Sequence, residues 1–380
     1  MSLIVGVTRE TVPGEYRVAM VPKAMDALAK LGIKFCVQKG AGEPAGFRDE
    51  EYASKGAEIV PSAQEVRENS QILVEVRVTD SPDLNAKHTV IGFCDPLSEP
   101  KKMFELAQRG ITLFSMELIP RITRAQSMDA LSSMATVAGY KAVLLAAIEL
   151  PRMFPLMMTA AGTIAAARVL VLGAGVAGLQ AISTARRLGA VVSGYDVRSA
   201  VREQIESLGA KFVQIDVGES AEGTGGYAKQ LSEDAIRRQR EQLGAVMKEM
   251  DVVITTAAVP GRKAPLLITA EMARGMGPGS VIVDLAAERG GNCELTKPGR
   301  AIEDNGVTII GPENVPSSVP YHASQMYARN VTSFLKNMLT KEGELNINLE
   351  DEIIKETLVT RGGEVVNPRV EALLGSVVLA

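Results

Sequence analysis

The chain reads as an α/β protein made of two doubly wound parallel-sheet domains joined by long helices, with a cleft between them. Three observations predict this. Short β-rich runs alternate with longer amphipathic stretches from end to end. The alternation runs twice, the second series restarting near residue 168, and 380 residues exceed what one ordinary core organises. A glycine-rich turn opens that second series.

In the first series the strand candidates are 3–7, 34–38, 71–76, 90–93 and 112–116, separated by helical stretches such as 23–31 and 100–109. Residues 134–150, mostly apolar and helix-favouring, form a connecting helix. The second series offers strands at 168–172, 191–195, 211–215, 252–256, 280–285 and 307–310. Pro312, Pro316 and Pro320 interrupt it, and a helix over 323–339 returns the chain to the first domain. The tail 346–366 alternates apolar and polar residues around Arg361-Gly362-Gly363, a hairpin signal. The expected boundaries are therefore 1–133 plus 323–380 for the first domain and 134–322 for the second.

Composition excludes several classes. Hydrophobic residues make up 46% and charged residues 23%, a globular profile, and the formal net charge is −4 with no basic block. A nucleic-acid partner has no electrostatic footprint. Cys36, Cys94 and Cys293 form no CxxC, which argues against a metal site or disulfide framework and fits a reducing cytosol. The start of the chain lacks the charged and apolar regions of a signal peptide. The apolar zone 153–185 is split by Arg168 and carries a Gly-rich turn, so it reads as buried strand and helix. A soluble protein is expected, reaching a membrane only through partners.

The strongest local signal is Gly173-Ala174-Gly175-Val176-Ala177-Gly178, preceded by the apolar run Val169-Leu170-Val171-Leu172 and opening a helix over 179–188. Gly173 permits a tight turn, Gly175 lets backbone approach a pyrophosphate, and Gly178 allows close helix–strand packing. The helix N-terminus offers amide donors and partial positive charge to phosphates. The next strand ends at Asp196, 18 residues beyond Gly178, where a carboxylate accepts from both ribose hydroxyls and repels a 2′-phosphate. Arg198, two residues on, could pair with a 2′-phosphate, but the carboxylate comes first. The site is therefore expected to take NAD(H), with Val197 beside Asp196. Ala257, after the strand at 252–256, and Leu285 and Ala286, at the end of 280–285, complete the expected cofactor contacts. No second phosphate-binding fingerprint exists, so one dinucleotide site is the supportable count.

Reducing a keto or imino acid requires a proton as well as a hydride, supplied by a His or Lys near the carbonyl. Only His88 and His322 are present, and both read as structural or surface residues. Hydride transfer between two nicotinamide rings exchanges no proton and requires only alignment and exclusion of water.

Three segments carry a family resemblance over essentially the whole chain: Pro13-Gly14-Glu15-Tyr16-Arg17-Val18-Ala19, the glycine turn with Asp196, and the stretch from Val283-Asp284 to Gly290-Gly291. They resemble the alanine dehydrogenase/transhydrogenase group. Within it, the segments at 120–133, 196–204 and 290–295 are similar to the NAD(H)-binding component (domain I, alpha subunit) of proton-translocating NAD(P) transhydrogenases. The resemblance implies two Rossmann-like domains and transfer of hydride from NADH to NADP⁺ held by a beta subunit, NADP(H) being the partner's cofactor. It also implies a small membrane alpha subunit as partner and a place in the cytoplasm on the cytoplasmic face of the inner membrane. A homodimer is expected separately, because twofold dimers are the commonest oligomers and the hairpin at 346–366 offers an exchangeable element. The resemblance makes the loop with Arg121, Gln126, Asp129 and Ser132 the group that holds the nicotinamide end. It makes Tyr227, in the glycine-dense stretch 223–229, an element of a lid over the nucleotide. From the residues alone, the first of these is equally a surface loop with capping residues, and the second a solvated loop.

The dehydrogenase branch carries a catalytic lysine in the strand matching 71–78 and a histidine after the next strand. Here those positions read Glu75 (or Arg77, by register) and Pro96. Arg17 resembles that branch's substrate-carboxylate arginine, with a fold-maintaining role expected here. The alternative reading is a soluble NAD-dependent alanine-type amino-acid dehydrogenase, and a third class is a non-catalytic NAD-responsive module.

Overall fold

The computed structural model describes residues 3–216, 218, 232–258 and 261–378. The chain divides into two compact units, one comprising Met1–Met134 with Pro316–Ala380, the other Ala135–Val315.

The first unit holds an eight-stranded sheet in the order Glu364–Val365, Leu358–Arg361, Thr112–Ser115, Thr89–Phe93, Ile72–Arg77, Ile4–Val7, Lys34–Gln38, Glu58–Val60. The six strands from Thr112–Ser115 to Glu58–Val60 are parallel. Their order is the doubly wound one, reversing beside the first strand of the series. Leu73, Val90, Met103, Leu106 and Leu113 are among the residues that close its core.

The second unit repeats the arrangement with seven strands in the order Lys211–Phe212, Val191–Tyr195, Arg168–Leu172, Val252–Thr255, Val281–Asp284, Val307–Gly311, Arg300–Asp304. All neighbours are parallel except the last pair. Its strands are apolar on both faces, as a sheet covered by helices on both sides requires. Val169, Val171, Val252, Ile254, Val281 and Val283 pack on one side, and Leu170, Leu172, Val253 and Ile282 on the other. A one-residue slip in any of these strands would exchange the two cores.

Several boundaries differ from the sequence reading. The strand Glu58–Val60 is too short and too charged to show as a run. The antiparallel edge strand Arg300–Asp304 also escaped, although Asn305 and Gly306 both take positive φ (52° and 76°), the conformation that makes Asn-Gly a two-residue hairpin turn. Within 153–185 the chain forms a further hairpin, Met157–Thr159 with Gly162–Ile164. The tail hairpin is shorter than 346–366. It spans Leu358–Val365, with Gly362 and Gly363 at the turn, and Leu358–Arg361 pairs with Thr112–Ser115 inside the sheet. Glu352–Thr357 before it is a helix capped by the Asp351 carboxylate. Pro320 begins a helix rather than preceding one: Pro320–Met338 carries it at the first turn, where a missing amide costs nothing. His322 therefore lies on that helix.

Ala130–Glu149 is the one helix among the described residues long and apolar enough to cross a membrane. Its Ala142, Val143 and Ala146 are fully buried in the second unit's core. A Cβ at its Gly139 would lie 2.1 Å from the Ala177 carbonyl, so the helix packs backbone to backbone on the start of Val176–Arg187.

Candidate functional site

In the second unit the glycine turn, Asp196, Ala257 and Leu285 all fall at the carboxyl ends of parallel strands. The sheet order reverses there, beside Arg168–Leu172, and open α/β sheets bind ligands at such points.

The three glycines have separable jobs. Gly173 takes φ +97°, and a Cβ there would come within 2.7 Å of Thr256 Oγ1, whose hydroxyl donates to the Gly173 carbonyl at 3.1 Å. A Cβ at Gly178 would lie 1.8 Å from the Gly173 carbonyl oxygen, so only glycine lets the helix close on the turn. Gly175 has φ −75° and nothing within 4 Å of an added Cβ; it faces open space. It caps the helix Val176–Arg187 without a side-chain acceptor, and no acidic residue stands in the first turn. Val176 is exposed and Ala177 half-buried at the first two helical positions. The helix N-terminus thus presents unneutralised amides and positive dipole beside a backbone that an anion can approach.

Asp196 is buried at the end of Val191–Tyr195. One carboxylate oxygen accepts from the Arg198 amide (2.9 Å) and Arg198 Nε (2.8 Å). The other accepts from the Ala174 amide (2.8 Å) and Arg198 Nη2 (2.7 Å). Burial would raise its pKa, but these hydrogen bonds outweigh it and hold the carboxyl below the usual aspartate value. The Ala174 contact ties the end of Val191–Tyr195 to the glycine turn. Val197 packs against the core behind the strand.

At the other expected contacts the backbone amides are already hydrogen-bonded within the protein. The Ala257 amide donates to Asn292 Oδ1 (3.0 Å), and its carbonyl accepts from Asn292 Nδ2 (2.8 Å). The Leu285 amide is used by Thr255 and the Ala286 amide by Asp284. Asp284 is fully buried, and its carboxylate accepts from the Thr255 and Thr296 hydroxyls and the Ala286, Asn292 and Cys293 amides. Asp284 and Asn292 therefore shape the loops flanking the turn, and sequence reasoning gave neither that role. The signal was a carboxylate ending an otherwise apolar run.

In the first unit, Arg121, Gln126, Asp129 and Ser132 lie on one loop and the helix it enters. Asp129 caps Ala130–Glu149: its two oxygens accept from the Ser132 amide (2.8 Å) and hydroxyl (2.6 Å). Gln126 is exposed, and its side chain makes no hydrogen bond among the described residues. Arg121 is exposed as well. Tyr227 lies outside the described residues.

The positions compared with a lysine and a histidine hold no proton donor of that kind. Glu75 is buried, its carboxylate accepting from the Thr79 amide at 3.0 Å, and burial raises its pKa. Pro96 is buried behind Asp95. Arg17 is 4% exposed and forked on Glu15 at 2.7 and 2.6 Å, and Arg77 Nε joins the same carboxylate at 3.2 Å. His88 is a structural histidine. Its Nδ1 accepts from the Asn85 amide, which leaves Nε2 to donate to the Arg67 carbonyl, and burial lowers its pKa. The described residues contain no group of three or more His, Cys, Asp or Glu able to hold a metal ion.

Comparison with known proteins covers both units. Residues 6–138 match the family model for the alanine dehydrogenase/PNT N-terminal domain, and residues 142–368 that for the alanine dehydrogenase/PNT C-terminal domain. The first portion of the NAD(P) transhydrogenase alpha subunit of Rhodospirillum rubrum is 45% identical over 379 residues, covering 96% of this chain and 98% of that one. The alanine dehydrogenase of Bacillus subtilis strain 168 is 27% identical over 383 residues, with 98% and 95% covered. The crystal structure of transhydrogenase from Sinorhizobium meliloti superposes with a TM-score of 0.87 at 44% identity, over 96% of this chain and all of that one.

Proposed function

The chain belongs to the alanine dehydrogenase/PNT family, and from that premise we propose that it is the NAD(H)-binding alpha component of a proton-translocating NAD(P) transhydrogenase. It holds NADH and passes hydride to NADP⁺ on a beta subunit, and a small membrane alpha subunit couples the transfer to proton movement. The chain itself stays cytoplasmic, peripheral on the cytoplasmic face of the inner membrane.

One observation carries the choice within the family. A complete dinucleotide turn stands in a chain whose dehydrogenase acid–base positions are Glu75 (or Arg77, by register) and buried Pro96. NADH bound there can give up a hydride, but no Lys or His stands at those positions to protonate a keto acid. Ring-to-ring transfer fits those residues. The alanine-type dehydrogenase reading has less support for the same reason.

Pyrophosphate would lie against Gly175 and the amides opening Val176–Arg187, with the adenosine ribose at Asp196 and Val197. Ala257, Leu285 and Ala286 would form the wall. Gln126, with Arg121 and the Asp129–Ser132 cap, would align the nicotinamide. Misplacing reacting atoms by about 1 Å costs on the order of a hundredfold in rate. Gln126→Asn should therefore slow hydride transfer to a transhydrogenase NADP(H) domain strongly while changing NADH affinity little. An unchanged rate removes Gln126 from the alignment, and a parallel loss of affinity makes it a binding residue instead.

The chain also acts as a homodimer in this reading. The hairpin Met157–Thr159/Gly162–Ile164 is exposed throughout, and residues 153–167 carry no charge. Met158 is 82% exposed and Leu156 58%, and a groove of about 490 Å³ lies at the hairpin base, lined by Leu150, Pro151, Arg152, Met153, Ile164 and Ala165. Isolated hairpins are marginal in water, and exposed edges of this kind need cover. Lipid cannot satisfy the free edge amides, whereas a strand can. A neutral surface meets its own copy across a twofold axis without self-repulsion, so the occupant is a second copy of this chain.

A further inference from the structure

Both oxygens of the Asp196 carboxylate are already engaged by the protein. They accept four hydrogen bonds, and three of the donors belong to Arg198: the amide, Nε and Nη2. The pair is sheltered, with side-chain exposures of 18% for Arg198 and 7% for Asp196. The edge of a guanidinium presents two parallel N–H donors to a carboxylate. A vicinal diol presents two hydroxyl donors to the same two oxygens. Both cannot hold the fork at once.

We propose that Arg198 is a specificity-determining residue whose fork on Asp196 holds the acceptor positions that the ribose hydroxyls would use, so that nucleotide binds by exchange with it. The inference rests on reading this unit as the NAD(H) site. Its consequence is that discrimination at the ribose is set by the pair, not by Asp196 alone. With the pair intact the ribose end carries a carboxylate and a guanidinium, which are neutral together. The diol of NADH must displace the guanidinium, and the displaced guanidinium is then at hand for a 2′-phosphate. Arg198 therefore works against NADH twice, as a competitor for Asp196 and as a partner for the rival nucleotide.

The two members of the pair should consequently shift specificity in opposite directions. Arg198→Ala should tighten NADH severalfold and weaken NADPH, widening their affinity ratio at least tenfold, because the diol meets open acceptors and the phosphate an uncompensated carboxylate. Asp196→Ala should narrow the ratio, since the freed guanidinium favours NADPH. Arg198→Lys, which keeps the charge but cannot form the fork, should tighten NADH without weakening NADPH. Calorimetric titration of the full chain and these variants with NADH and NADPH reads all of this, with thermal melting to show that each variant is folded. A structural role for Arg198 would lower both affinities together, and that result, or an unchanged ratio in Arg198→Ala, would overturn the proposal. If wild type binds neither nucleotide, the nucleotide site itself is wrong and the inference falls with it. Binding of NADH with no effect of Arg198 on the ratio overturns the inference alone.

Discussion

At the scale of single residues, the glycine turn separates what holds the fold from what admits a ligand. Gly178 serves the fold: its missing Cβ would overlap the Gly173 carbonyl, and backbone cannot step aside as a flexible side chain does. Overpacking of this kind costs about 1–3 kcal/mol or more. Gly175 is under no such constraint, since an alanine there meets nothing and its φ is ordinary, and its proposed role is to admit the pyrophosphate. The account predicts that Gly175→Ala keeps the wild-type melting temperature but loses NADH affinity tenfold or more, whereas Gly178→Ala loses both. Thermal melts and calorimetry on the two variants check this. Full NADH affinity in Gly175→Ala would mean that phosphate does not approach there. The turn was legible in the sequence because glycine, strand and helix stood in fixed order. The Asp196–Arg198 fork was not, since two residues of opposite charge two positions apart can equally point apart.

Individual elements were legible in proportion to how far local pattern decides them. Strands buried on both faces, such as Arg168–Leu172 and Val281–Asp284, show as apolar runs. Arg300–Asp304 lacks such a run, because an edge strand in the open can be Arg-Ala-Ile-Glu-Asp. Its own turn residues were the usable signal. The hairpin at 157–164 was hidden by reading an apolar zone as core, when these residues are apolar and exposed. That exposure makes a prediction at the same scale. Met158→Asp puts a charge where the folded monomer tolerates it and a twofold contact does not, so it should convert a wild-type dimer to monomer at micromolar concentration. Light scattering decides it. A monomeric wild type, or a variant as dimeric as wild type, rules the hairpin out as the interface.

Across the whole molecule, the buried carboxyls of the first unit make stability depend on pH. Burial, reinforced by neighbouring Glu75, pushes Glu10 up to about 8, against the Val76 and Arg77 amides that pull it down. A carboxyl raised on folding favours the folded state fully below its unfolded pKa, and that stability is lost as pH rises to the folded value. Between about 4.5 and 8, stability should therefore fall by up to about 1.4 kcal/mol per pH unit from this group. His88, lowered by burial, acts in the opposite sense on the acid side, losing stability as pH falls from its unfolded 6.5. Comparison with Glu10→Gln isolates the first effect: denaturation midpoints of the variant should decline less steeply from pH 5 to pH 8 than those of wild type. Equal slopes would show that Glu10 is ionised in the folded protein throughout.

The same scale holds the central claim, that this chain gives hydride from NADH to a nicotinamide on another polypeptide. Its most direct test is to mix the purified chain with a transhydrogenase NADP(H) domain and follow NADH-dependent reduction of an NADP⁺ analogue, with pyruvate and ammonia supplied in parallel to the chain alone. The account predicts transfer in the mixture and no pyruvate-dependent oxidation of NADH. Enzymatic turnover of pyruvate and ammonia, or no transfer with a competent NADP(H) domain, would contradict it.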